Sequence, residues 1–161
     1  MNNQAMMITK VKNIYIMLLH AISKENISIV DHYLDDALSS KYKKIIENNI
    51  KNNVRQVYRQ ANITDLNIIE EDDNFVTFEA KTRHIEYFVN RKNNKFVSGD
   101  NTTRISKTTI LKFRKNNIKT KTLYNCPNCG AGLKINSSGI CSYCGISLDD
   151  KFSPYVLCYI E

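Results

Sequence analysis

The feature that most constrains the fold is a change of period in the apolar residues near position 53. Before it, Met7, Val11, Ile14, Leu18 and Ile22 recur at helical spacing and place one apolar stripe along residues 4–23. A second helix is expected from a cap at Asn26 or Ser28, with Ile29, Val30, Tyr33, Leu34, Ala37 and Leu38 on its buried side. A third helical stretch, or a continuation of the second after a break at Ser39 and Ser40, carries Tyr42, Ile45, Ile46 and Ile50.

Beyond the asparagine-rich "ENNIKNN" the period becomes 2. Residues 63–69 read as a strand, "EEDDN" as a turn, and "FVTFEAKTRHIEYFV" as a long second strand. In its first half Val76, Phe78 and Ala80 are the inward residues; in its second half Ile85, Tyr87 and Val89 take over. That exchange predicts a bulge near Arg83 and His84, or a strand end covered on both faces. "NRKNNK" and Gly99-Asp100 read as turns. In the last strand Ile105, Thr109, Leu111 and Phe113 face one way, while Arg104, Lys112 and Arg114 face the other. Helices followed by antiparallel strands predict an α+β layout, with the helices packed on one face of a curved antiparallel sheet in a cone-like arrangement.

The strongest motif lies further on. In "YNCPNCGAGLKINSSGICSYCG", Cys126, Cys129, Cys141 and Cys144 form two Cys-x-x-Cys pairs, each closed by a glycine. Four thiolates at this spacing suit a tetrahedral Zn²⁺, and they leave no open position for a substrate, so the site is expected to be structural. Iron is the less favoured metal, because rubredoxin-like knuckles stand farther apart. Disulfides require an oxidising compartment. A segment this short needs such a staple to fold. The expected organisation is therefore a pocketed α+β domain over residues 1–116, a linker over 117–122, and a small C-terminal zinc ribbon with an apolar tail over 123–161. Cys158, in "YVLCYI", reads as a small buried hydrophobe rather than a reactive thiol, in a tail that packs on the ribbon or on the main domain.

Function is less legible. The net charge of +7 fits a surface for nucleic acid or acidic lipid, but the lysines are scattered and fit a solvated surface better. The run "IYIMLLHAI" after Lys10 and Lys12 has the outline of a signal peptide, yet His20 interrupts it and no cleavage site follows. The expected location is cytoplasmic, with a peripheral membrane position as the alternative. His20 and His32 read as structural residues beside core positions. His84 and Glu86, two apart on one strand, are the weak candidates for acid–base work. There is no phosphate loop, dinucleotide fingerprint or nucleophile motif.

Three blocks, "ENISIVDHYLDDALSSKYKKII", "FVTFEAKTRHIEYFVN" and "SGDNTTRISKTTILKFRK", resemble the translocase-subunit-44-like domain, whose bacterial members share the nuclear transport factor 2-like fold. A cysteine ribbon after such a domain is similar to an arrangement in small bacterial proteins of that family. The resemblance implies a pocketed, non-enzymatic domain that binds a protein, peptide or lipid partner. The chain lacks the tryptophan common in the family's last strand. Nucleic-acid binding through the ribbon and small-molecule acid–base chemistry in the pocket stand as alternatives, and a homodimer is compatible with all three.

Overall fold

The computed structural model describes residues 3–115, 143–144 and 155–161. Two helices, α1 (Asn3–Ser23) and α2 (Asp36–Lys51), pack against one face of a four-stranded antiparallel sheet. Its strands are β1 (Val54–Glu71), β2 (Phe75–Asn90), β3 (Phe96–Lys115) and β4 (Tyr155–Ile160), hydrogen-bonded in the order β1-β2-β3-β4. The α+β layout with a curved sheet is as expected. No described helix is long and apolar enough to cross a membrane.

The helix stripe is realised directly. Val11, Ile14, Leu18 and Ile22 are buried on the inner face of α1, with Tyr15 and Leu19 between them. They pack on Val76, Phe78 and Ala80 of β2 and on Leu111 and Phe113 of β3, which the period of 2 had placed inward. Ser23 Oγ accepts from the Tyr58 amide at 2.9 Å, and Arg91 pairs with Glu25 at 2.8 Å. These contacts hold the end of α1 over β1 and over the β2–β3 turn.

The segment between the helices differs from expectation. Instead of a helix starting at Asn26 or Ser28, two short 3-10 turns span Ile27–Ile29 and Asp31–Tyr33. Asn26 does cap the first, accepting from the Ser28 amide at 3.2 Å. The α-helix begins only after Asp35, whose carboxylate accepts from the Leu38 amide at 2.9 Å. It then runs through Ser39 and Ser40 without a break, because an N-cap one turn earlier makes those serines first-turn residues.

β1 starts at Val54, nine residues earlier than the period suggested. Its register slips between Arg59 and Asn62, where Gln60 has φ +51°, and again at Ile63/Asp65 and Ile68/Glu70. Those slips scramble the alternation by which a strand is recognised.

The parity exchange in β2 also has a definite cause, and β2 itself is unbroken. The irregularities lie in its neighbours, at Gln60 and Ala61 of β1 and between Asp100 and Ile105 of β3. The Arg104 guanidinium reaches across β2, donating to Gln60 O at 3.0 Å and to Asn62 Oδ1 at 2.8 Å. Ile85, of opposite parity to Val76, Phe78 and Ala80, is buried outside the main core. Gly99-Asp100, expected as a turn, lies inside β3. A Cβ on Gly99 would meet Tyr87 Cα at 2.8 Å, and its φ is +93°, so glycine is required there. Asp100 accepts from the Thr102 and Thr103 amides, which holds its carboxyl down at about 2.

The apolar tail is a strand of the main sheet. β4 pairs with β3 from Leu111↔Ile160 to Lys115↔Tyr155. On its other side, Asp35 N donates to Leu157 O at 3.0 Å. Leu157 has no solvent exposure. Cys158 Sγ donates to Lys112 O at 3.3 Å, and burial pushes its thiol up. The strand residues Lys115 and Tyr155, which end β3 and begin β4, are paired. Cys126, Cys129 and Cys141, with the linker and ribbon expected there, lie outside the described residues. Tyr143 and Cys144 are described and exposed.

Candidate functional site

Inner-face residues of β2 alternate from Val76 to Glu86, so the apolar run Val76, Phe78, Ala80 continues as Thr82, His84 and Glu86. The sheet thus changes from apolar to polar along a single row, beneath the C-terminal half of α1. A cavity of about 260 Å³ opens at that change. Leu18, Leu19 and Ile22 of α1 form its apolar wall. Tyr15, Tyr42, Tyr58, His84 and Thr109 supply its polar groups, and Lys41 and Lys107 stand among the exposed lining residues.

His84 and Glu86, paired by sequence spacing, are brought together. His84 Nε2 lies 3.4 Å from Glu86 Oε2, and His84 is only 1% exposed. The edge of Tyr58 packs on the His84 ring with centroids 5.3 Å apart. Glu86 is held from β1 as well: Gln56 Nε2 donates to its Oε1 at 2.6 Å, and the Tyr58 hydroxyl donates at 3.2 Å. Gln56 also donates to the Tyr58 oxygen at 2.8 Å. With the Glu86 carboxylate as acceptor, Nε2 carries the imidazole hydrogen. In the neutral ring Nδ1 is then an acceptor, and it is buried with no hydrogen-bond partner in the described structure.

The tyrosines remain phenols. Burial pushes Tyr42 up to about 12, with Tyr15 adding to it. Burial, then the Glu86 charge, holds Tyr58 far above the ordinary phenol range. Burial also raises Tyr15, against the hydrogen bonds it shares with Thr82 and Thr109. Each hydroxyl can therefore donate or accept a hydrogen bond, but none is a nucleophile at neutral pH. Glu86 has its oxygens occupied by three neighbours, so its role is to orient His84 rather than to remove a substrate proton.

Sequence reasoning found His84 and Glu86 but missed Gln56, Tyr58, Tyr15 and Tyr42. Tyr58 and Gln56 fall in the part of β1 whose period is obscured, and the tyrosines of the helices read as ordinary core residues. His20 and His32 do not join the site; His20 is exposed, and His32 stacks on Tyr33 with centroids 4.1 Å apart. No protein-family model matches the chain, and no curated protein does.

Proposed function

We propose that this chain is a non-enzymatic binding protein, whose cavity between α1, α2 and the sheet takes a small hydrogen-bonding group. The observation that carries the reading is the orphaned acceptor His84 Nδ1, on a ring held by Glu86 and Tyr58 at a cavity wall. A buried polar atom without a partner costs about 1–3 kcal/mol, so the position favours a ligand that donates to it. The volume lies just below the usual range of roughly 300–1,000 Å³ for ligand pockets. The occupant is therefore small, or is the side chain or headgroup of a larger peptide or lipid partner. The apolar wall takes its carbon face and the tyrosine hydroxyls take its remaining polar atoms.

The test is ¹⁵N-detected spectroscopy of the histidine rings while small phenols, alcohols and amides are added. A bound fragment is expected to move the His84 Nδ1 resonance, and His84→Leu should weaken that fragment at least tenfold while the melting temperature stays near wild type. Fragments binding equally well to His84→Leu, or none binding at all, would overturn the assignment.

A second reading, acid–base chemistry by His84, is favoured by the same free nitrogen. The occupied oxygens of Glu86 weigh against it.

The kinship with translocase-subunit-44-like domains belongs to this proposal. What supports it is coarse: helices first, then a curved antiparallel sheet with a cavity between it and the helices.

The cysteine segment is proposed to be a structural zinc module inserted in the β3–β4 connection. Cys126, Cys129, Cys141 and Cys144 supply the four soft ligands that zinc takes in closed sites. One zinc per chain is expected by elemental analysis, and Cys126→Ser should lose it; retained stoichiometry would sink the four-cysteine set. Tying Cys126 to Cys144 shortens the free connection by about half, and halving a loop is worth only about 0.6 kcal/mol. Chelation should therefore move the melting of the sheet slightly.

A further inference from the structure

The outer face of the sheet carries a pattern that the cavity does not explain. Cross-strand partners share a face, so the register assigns its residues directly. From Arg83 to Val89, the outer residues of β2 are Arg83, Ile85, Tyr87 and Val89. Beside them β1 places Arg55, Val57 and Arg59, opposite Val89, Tyr87 and Ile85. β3 adds Phe96, half exposed and 6.4 Å from the Tyr87 ring, and Arg104. None of the cross-strand partners on this half of the face is a carboxylate; the acids, Asp65, Glu70 and Glu79, begin opposite or beyond Lys81. No described element packs on this face, since the core residues of both helices meet the inner one.

At the border of the two halves is a second concavity of about 300 Å³. Lys81 and Arg83 frame it with the hydroxyls of their outer-face partners Thr108 and Ser106, and Thr64, which donates to Lys81 O at 3.2 Å, completes its rim. Among the described residues, neither Lys81 nor Arg83 makes an ion pair. Two cations and the hydroxyls of Ser106 and Thr108 around an open hollow match the charge and hydrogen-bonding capacity of a phosphate group. Arg104 and Arg55 are already held, the first by Gln60 and Asn62 and the second by Asn94 at 2.9 Å, so they lose little freedom on meeting an anion.

We propose that this outer face binds single-stranded nucleic acid, with a backbone phosphate in the Lys81–Arg83 hollow and a base against Tyr87 and Phe96. Charge complementarity selects a polyanion. The aromatic pair beside the cations selects one that also offers flat rings, which lipid headgroups lack. An open antiparallel sheet exposes both at once.

The experiment uses the full zinc-loaded chain and a fluorescein-labelled 15-nucleotide oligo-U strand, read by anisotropy at 50 and 200 mM KCl. With about four phosphates neutralised, affinity should fall about fiftyfold between the two salts. Lys81→Glu with Arg83→Glu should weaken binding at least tenfold, and Tyr87→Ala severalfold. Lys24→Glu with Lys44→Glu, the same charge change just past α1 and on α2, should alter it less than threefold. If the glutamate pair melts early, the glutamine pair at the same positions serves in its place. The proposal is overturned by absent binding at 50 mM KCl, by equal loss in the two charge-reversed pairs, or by binding to phosphatidylserine vesicles without binding to the oligonucleotide. It is also overturned if Cys126→Ser abolishes binding while the Lys81/Arg83 variant retains it, which would place the contact on the cysteine segment. His84→Leu should leave it unchanged, so this site and the cavity stand or fall separately.

Discussion

Leu157→Ala is expected to destabilise the chain by about 3–4 kcal/mol, measured by urea denaturation with circular dichroism. Leu157 has no exposure, lies opposite Phe113 in the sheet, and is bonded through its carbonyl to the Asp35 amide at the start of α2. Removing its branched end from so enclosed a position costs the transfer energy of the lost groups plus the cavity left behind. The result discriminates between two organisations. If the tail belonged to an independent cysteine module, the substitution would leave the main unfolding transition in place. If β4 is the fourth strand of the sheet, that transition itself moves to lower urea. A change under about 1 kcal/mol would exclude the second arrangement.

Phe113→Ala is expected to cost at least as much, about 3–5 kcal/mol. Phe113 and Phe78 are both without exposure and meet edge to face, centroids 5.9 Å apart, beneath α1. Such a contact adds roughly 0.5–1.5 kcal/mol beyond area burial. Phe78→Ala should cost a similar amount, and the double variant less than the sum, because each substitution already removes the shared contact. Additive losses in that cycle would mean the rings do not touch. Phe88, on the same strand but only half-buried and outside the core, is the internal comparison: Phe88→Ala should cost distinctly less.

The core of this fold was legible because it obeys simple periods. Every position of the α1 stripe is buried, and Val76, Phe78, Ala80, Leu111 and Phe113 lie inward as alternation requires. What was not legible has local causes. The first half of β1, Val54 to Ala61, mixes Arg and Gln with Val and Tyr and slips register at Gln60, so its period is not that of a simple strand. With it went Gln56 and Tyr58, two of the three neighbours that hold Glu86. His84 and Glu86 themselves were legible, since two residues apart on a strand means one face. That the face is the inner one, under α1 and next to three tyrosines, was not.

The sequence by itself determined the order of elements, the apolar stripes, the His84–Glu86 row and the chemistry of the four cysteines, because each depends on residues near one another along the chain. Tertiary structure decided three things. It made the tail at 155–160 the strand that completes the sheet, joining Leu157 to the same core as Leu18 and Phe113. It set His84, whose Nδ1 is buried without a partner among the described residues, in the lining of a cavity. And it gathered Arg55, Arg59, Arg83 and Arg104, scattered over some fifty residues of chain, onto one side of the sheet. The reason is the same in each case: pairing register between distant strands fixes which side chains become neighbours, and register is set by bulges and packing that no local pattern records.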